Sequence, residues 1–161
     1  MIVFDTESNG FVEDATQIWC IVTYDTETKI TSHYAPDAVR DGLQALANAD
    51  TLICHNLISH DIPLIQKLYP DWEPRGKILD TLVLSQLLYP DRPGGHGLEA
   101  WGVRNSIPKP EHEDWSEFTP EMLHRCAEDV RNNYITNKKL LEESYGELQG
   151  IPYREVFANS L

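Results

Sequence analysis

Two carboxylates one residue apart open the chain, Asp5 and Glu7 in Ile2-Val3-Phe4-Asp5-Thr6-Glu7. If this apolar run is a strand, residues two apart share a face, and both acids leave the core side by side. Buried like charges are unfavourable unless something neutralises them. A divalent cation is the usual neutraliser, and an oxygen-rich cluster suits Mg²⁺ or Mn²⁺. A surface strand carrying Asp-x-Glu would explain the pair as simply. The chemistry therefore depends on what else the fold brings there.

The elements that must do this can be read along the chain. Residues 2–7, 17–24 and 28–34 have strand patterns, the last two alternating around the turn Asp25-Thr26-Glu27-Thr28. Residues 38–48 repeat as a helix, Thr51–Cys54 is a short buried strand, and His60 to Leu68 is a second helix with Pro63 near its start. Lys77–Asp80 forms another strand, followed by an apolar helix through Leu88. Tyr89-Pro90-Asp91-Arg92-Pro93-Gly94-Gly95 is a loop by its breaker chemistry, and His96 to Val103 is a short helix. After a polar, Pro-containing connection over 105–118, Thr119 is an N-cap and Pro120 a first helical residue. The last helix then runs to about Gly146 or Gly150. This order describes one α/β domain over 1–161, a mixed sheet of about five strands covered by helices.

Composition narrows the class. A chain of 161 residues is one ordinary domain, and no apolar stretch reaches the length of a membrane span. Asp5 and Glu7 interrupt any signal-peptide pattern at once. Cys20, Cys54 and Cys126 lack Cys-x-x-Cys pairing and read as reduced, buried thiols of a cytoplasmic protein. The net charge of −13 argues against a broad basic nucleic-acid face, but not against a small site where metal ions carry the positive charge.

Three further segments could join the first pair. In Cys54-His55-Asn56-Leu57-Ile58-Ser59-His60-Asp61, Asp61 opens a helix after a buried strand, where the helix dipole favours a carboxylate. A plain N-terminal acid and polar loop is the competing account. In Leu79-Asp80-Thr81-Leu82-Val83-Leu84-Ser85, Asp80 reads as a helix cap. His96 and Trp101, in His96-Gly97-Leu98-Glu99-Ala100-Trp101-Gly102, could approach a substrate or serve as a loop histidine and a core tryptophan. On the last helix Met122, Cys126, Asp129 and Asn133 form one row, so Asp129 lies at the edge of the packing face, unusual for a solvated charge.

Asp5-Thr6-Glu7, His55-Asn56 through Asp61, and Asp129-Val130 resemble the three exonuclease motifs of the DEDD (DnaQ-like) superfamily of 3′–5′ exonucleases. The resemblance is closest to the proofreading domain of phage family A DNA polymerases. The segments Asp80-Thr81-Leu82-Val83-Leu84-Ser85 and His96-x-Leu98-Glu99-Ala100-Trp101-Gly102 have counterparts there in the same order. It spans roughly residues 1–145. It implies an RNase H-like fold with two divalent ions, Mg²⁺ or Mn²⁺, held by Asp5, Glu7, Asp61 and Asp129. The implied substrate is single-stranded DNA 3′ ends, contacted by Thr6, Asn56, His96, Trp101 and Arg125, with short RNA as the alternative. With no polymerase region after Leu161, it also implies a free-standing exonuclease, or a subunit joining a polymerase or other replication protein in trans, in the host cytoplasm if phage-encoded. Residues from Tyr145 onward then read as a helix end with a docking tail. A non-catalytic binding subunit on the same fold is the rival from another class.

The superfamily divides by its general base, Tyr four residues before the last Asp or His five before it. Here those positions hold Arg125 and His124, and the letters fit the His (DEDDh) branch. Helix geometry points the other way. At about 100° per residue His124 sits roughly 140° from Asp129, and Arg125 only about 40°. His124 serves as base if the helix begins or distorts near it. If the helix starts at Thr119, Arg125 faces the site instead, with the metal alone or His60 or His112 assisting the water.

Overall fold

In the computed structural model, which describes residues 1–147, period-two patterning becomes five strands. They are β1 (Ile2–Ser8), β2 (Ile18–Asp25), β3 (Thr31–Tyr34), β4 (Thr51–Cys54) and β5 (Lys77–Asp80). Their order across the sheet is β3-β2-β1-β4-β5, with β1, β2 and β3 antiparallel and β4 and β5 parallel to β1. The hairpin strand begins at Thr31 rather than residue 28, because Lys29 turns the chain at φ 60° and donates to Asp25 O at 2.8 Å.

Two layers of helix cover this sheet. Phe4, Ile21, Leu52 and Cys54 pack against α1 (Val39–Asn48) and α2 (Ile62–Leu68), whose Leu43, Leu46, Leu64 and Ile65 close the first core. On the other face Val3, Cys20, Val22, Ile53 and Leu79 meet Met122, Cys126 and Val130 of the long helix α5 (Pro120–Glu147). The helices α3 (Thr81–Leu88) and α4 (Leu98–Asn105) pack on α5. Odd-numbered residues of β1 thus face α5, which sets Asp5 and Glu7 on the side from which Asp129 comes.

The start of α2 differs from expectation. Asp61 does not open a regular helix: Leu57–Asp61 is a π-helical turn entered from Asn56 at φ 65°, and α2 follows at Ile62. Asp80 does cap α3, accepting from the Leu82 and Val83 amides. The long helix starts at Pro120, with Thr119 Oγ1 accepting from the Met122 amide at 3.2 Å. Among the described residues no helix is long and apolar enough to cross a membrane. The docking tail expected beyond the last helix lies outside the described residues, apart from the helix end itself.

Candidate active site

The carboxyl ends of the neighbouring parallel strands β1 and β4 open into a cleft of about 530 Å³. This is where open α/β sheets characteristically hold ligands. Asp5 and Glu7 project into it from β1, Asp61 from the π-helical turn and Asp129 from α5. Candidate ligand atoms of Asp5, Asp61 and Cys54 lie within 4.8 Å of one another, as do those of Asp5, Glu7 and Cys126. Asp5 thus links Glu7 and Asp61 at ligand-atom distances, and Asp129 lines the same cleft.

Packing these acids is electrostatically unfavourable, and their proton affinities show it. Burial, and then the charges of Glu7, Asp129 and Asp61, hold the Asp5 carboxyl well above its usual range. Glu7 is pushed up to about 8, by burial first and Asp129 next, against the opposing charges of Arg125 and Lys109. Burial raises Asp61 to about 6, partly offset by His60 and by hydrogen bonds from Thr6 and Cys54. Asp129 is also raised by burial, with Lys109 and Arg125 opposing. Burial likewise pushes the Cys54 and Cys126 thiols up, keeping them protonated. The available donors are then carboxylate oxygens, a set that fits Mg²⁺ or Mn²⁺ rather than a thiophilic metal.

Thr6, expected to meet substrate, lines the cleft beside Asp5 and Glu7. Its hydroxyl donates to Asp61 Oδ1 at 2.9 Å, and Cys54 Sγ approaches Asp61 Oδ2 at 3.3 Å. Both hold the carboxylate that the π-helical turn delivers. Asp80 supports the same turn: its carboxylate accepts from the Asn56 and Ile58 amides, both at 3.0 Å, while capping α3. Asp80→Ala would orphan these amides and the cap, and is expected to cost about 2–4 kcal/mol. A urea unfolding midpoint checks this, with Asn56→Gly as a milder control that removes no acceptor.

Several expectations need correction. His124 is exposed on α5 and does not line the cleft, because the helix is regular from Pro120 and its phase turns this ring outward. Arg125 faces inward instead, its Nε 3.8 Å from Glu7 Oε1 and its guanidinium 5.0 Å over the Trp115 ring. His96 is committed to Ser85 at 2.8 Å and the Pro90 carbonyl at 2.9 Å, away from the cleft. Trp101 is only 3% exposed, between the guanidinium groups of Arg92 and Arg104. Both belong to the packing of α4, the plainer of the two accounts that their residue types allowed. Asn56 does line the cleft, as does His60. His112 instead stands edge-on to Trp115, with centroids 4.7 Å apart.

Other residues enter the cleft without having been singled out. Phe11 stands at its rim, 76% exposed, and Lys109 and Trp115 come from the polar connection before α5. The signal for Trp115 was the placement of a tryptophan in an otherwise polar loop. Trp19 Nε1 donates to its carbonyl at 2.9 Å, tying that connection to β2.

No protein-family model matches the chain. It is similar to the DNA-directed DNA polymerase of Escherichia phage T7, 29% identical over 94% of this chain and 27% of the polymerase. The polymerase of Enterobacteria phage T3 is 28% identical with the same coverage. The chain thus spans about a quarter of the length of these curated relatives. Among solved structures, Escherichia coli RNase D superposes with a TM-score of 0.65 at 20% identity, covering 90% of this chain and 40% of RNase D. Brucella melitensis NrnC with bound Mg²⁺ gives 0.64 at 18% identity, covering 92% of this chain and 75% of NrnC. These likenesses bear out the expected fold, a five-stranded mixed sheet of the RNase H-like exonuclease kind. The chain thus has the fold of DnaQ-like, DEDD-type exonucleases and is similar in sequence to about a quarter of the length of two phage DNA polymerases.

Proposed function

We propose that this chain is a divalent-metal-dependent 3′–5′ exonuclease that shortens single-stranded DNA from its 3′ end and releases nucleoside 5′-monophosphates. The observation that carries this reading is the convergence of Asp5, Glu7, Asp61 and Asp129 on one open cleft, with proton affinities raised by burial and mutual repulsion. Structural acids rarely converge so; a catalytic cluster does. These four side chains would hold two Mg²⁺ or Mn²⁺ ions. When bound, such ions neutralise charge on the phosphodiester and make water a better nucleophile near neutral pH.

The chain's own groups divide the work. Asp5, Glu7, Asp61 and Asp129 supply oxygen donors, and Thr6 and Cys54 hold Asp61 in orientation. Arg125, stacked on Trp115, sets a guanidinium beside Glu7 where a phosphate oxygen would lie. Of the cleft's two imidazoles, burial pushes His55 down to about 4 and its Nδ1 is bonded to Thr81 at 2.9 Å. His60 is therefore the imidazole placed to take a proton from water. Asn56 and Phe11 line the path of the terminal nucleotides, with Phe11 offering a stacking face.

DNA is favoured over RNA by the similarity to two DNA-directed DNA polymerases. A polymerase acting in trans is the partner this similarity supports. Three free, buried thiols fit a reducing compartment such as the cytoplasm, the host's if the chain is phage-encoded. The test is digestion of a 5′-labelled single-stranded DNA oligomer with Mg²⁺ or Mn²⁺, beside RNA of identical sequence. A ladder shortening from the 3′ end of DNA is expected; faster digestion of RNA would reassign the substrate, and no digestion of either would favour a binding subunit. In the same assay His124→Ala is expected to keep kcat within about threefold, since the ring lies outside the cleft. Arg125→Ala is expected to lose about 10- to 100-fold. The reverse ranking would restore His124 as the base and require α5 to rearrange.

A further inference from the structure

The cleft presents four carboxylates to a substrate that is itself an anion, and the whole chain carries −13. The lysine and arginine side chains at its wall are Arg125 and Lys109. Arg125 is already engaged: it pairs with Glu7, stacks on Trp115, and donates through Nη1 to the Pro110 carbonyl at 3.2 Å. Lys109 is not. Among the described residues its ammonium makes no hydrogen bond or ion pair, and the residue is exposed.

The backbone around Lys109 is held on both sides. Ile107 is buried, its amide donating to the Gly102 carbonyl at 2.9 Å, which anchors the segment to the end of α4. Pro110 is tied to Arg125 of α5. Between these anchors runs Pro108-Lys109-Pro110, in which each proline fixes its own φ and biases the preceding residue to extended conformations. A stiff, doubly anchored bridge thus carries a lysine whose ammonium has no other engagement to the wall of an acidic cleft. Lys109 lines the same cleft as Glu7, Asp129 and Asp61, which places its ammonium beside the expected reaction centre.

Resting on the exonuclease reading above, we propose that Lys109 contacts the scissile phosphate directly and is a further catalytic residue, stabilising the negative charge that grows on its non-bridging oxygens. A mobile ammonium at the end of a rigid backbone suits this role, because the anchor restricts where the charge can go and the four-carbon stem lets it follow the phosphate through reaction. The neighbouring Arg125 then serves two ends, setting its own guanidinium and positioning the bridge that bears Lys109.

The experiment compares wild type, Lys109→Gln and Lys109→Arg in steady-state digestion of single-stranded DNA with Mg²⁺, together with melting temperatures. Lys109→Gln is expected to lower kcat about 10- to 100-fold with KM within about threefold, because the contact strengthens as charge develops. Lys109→Arg is expected to recover most of that loss, and all three proteins to melt alike, since the side chain is exposed. An unchanged kcat in Lys109→Gln overturns the assignment, and so does a loss confined to KM, which would put the lysine on a more distant phosphate. Failure of Lys109→Arg to recover activity overturns it as well, by showing that charge is not the operative property. An inactive wild type, on DNA and on RNA with either metal, would instead refute the exonuclease reading itself.

Discussion

Replacing Asp5 with Asn is expected to abolish DNA hydrolysis, by about 10³-fold or more, and at the same time to raise the melting temperature of the metal-free protein. The two effects share one cause. Asp5 is the member common to both groups of converging ligand atoms, so its loss removes a donor from each. Its carboxyl is also held well above its usual range, by burial first and then by the charges of Glu7, Asp129 and Asp61. Every carboxyl whose affinity for protons is raised in the folded state disfavours folding once the unfolded chain has ionised. A neutral amide of similar shape removes that opposition and relieves Glu7, for an expected gain of about 1–3 kcal/mol, or roughly 3–10 °C in a chain of this size. Calorimetry in EDTA near pH 8, beside a single-turnover digestion, reads both. Retention of a tenth of the activity, or a lower melting temperature at unchanged far-ultraviolet dichroism, would remove Asp5 from the centre of the site.

The second large effect is a pH-dependent response to metal. Glu7 titrates at about 8 and Asp61 at about 6 in the folded protein, against ordinary carboxyl values near 4 in the unfolded chain. Between those limits the folded state binds more protons than the unfolded state, so rising pH favours unfolding. Metal-free protein is therefore expected to be least burdened by these groups near pH 4, to lose that advantage through pH 6 as Asp61 ionises, and to lose the rest by about pH 8. Divalent cations are expected to reverse the sign, because a metal site needs the ionised cluster, which only the folded state assembles. At a concentration 100 times the dissociation constant the gain is about 2.7 kcal/mol, near 5–11 °C here. The increment should be larger at pH 8 than at pH 5.5, where protons compete for the same oxygens. Melting curves across that range, in EDTA and in Mg²⁺, supply the check. Equal increments at the two pH values, or none, would mean that the carboxylates do not act as a joint metal site.

Much of this site is legible in the sequence because local rules decide it. Strand periodicity alone puts Asp5 and Glu7 on one face, and the row Met122, Cys126, Asp129 puts an acid at the edge of a packing surface. Thr119 and Pro120 announce the start of α5, and Asp80 announces the cap of α3. What stays hidden is whatever depends on partners distant in sequence. Nothing local tells that Thr6 serves Asp61 from 55 residues away, or that Asp80 also holds the Asn56–Ile58 amides. His96 and Trp101 are ambiguous for the same reason, since their identities fit either a binding surface or the packing that Ser85, Arg92 and Arg104 provide.

The sequence by itself determined which residues carry charge, which elements bear them, and the order in which the acids occur; periodicity and capping act within a few residues and need no tertiary context. Tertiary structure decided which of these residues meet. The phase of an unbroken α5 turned His124 to solvent and Arg125 to Glu7, and a connection with no periodic pattern of its own brought Lys109 and Trp115 to the cleft. The physical reason is that a side chain's direction on a helix is set once the helix start and the buried face are both fixed. The buried face here is chosen by Val3, Cys20 and Ile53 on strands far away along the chain.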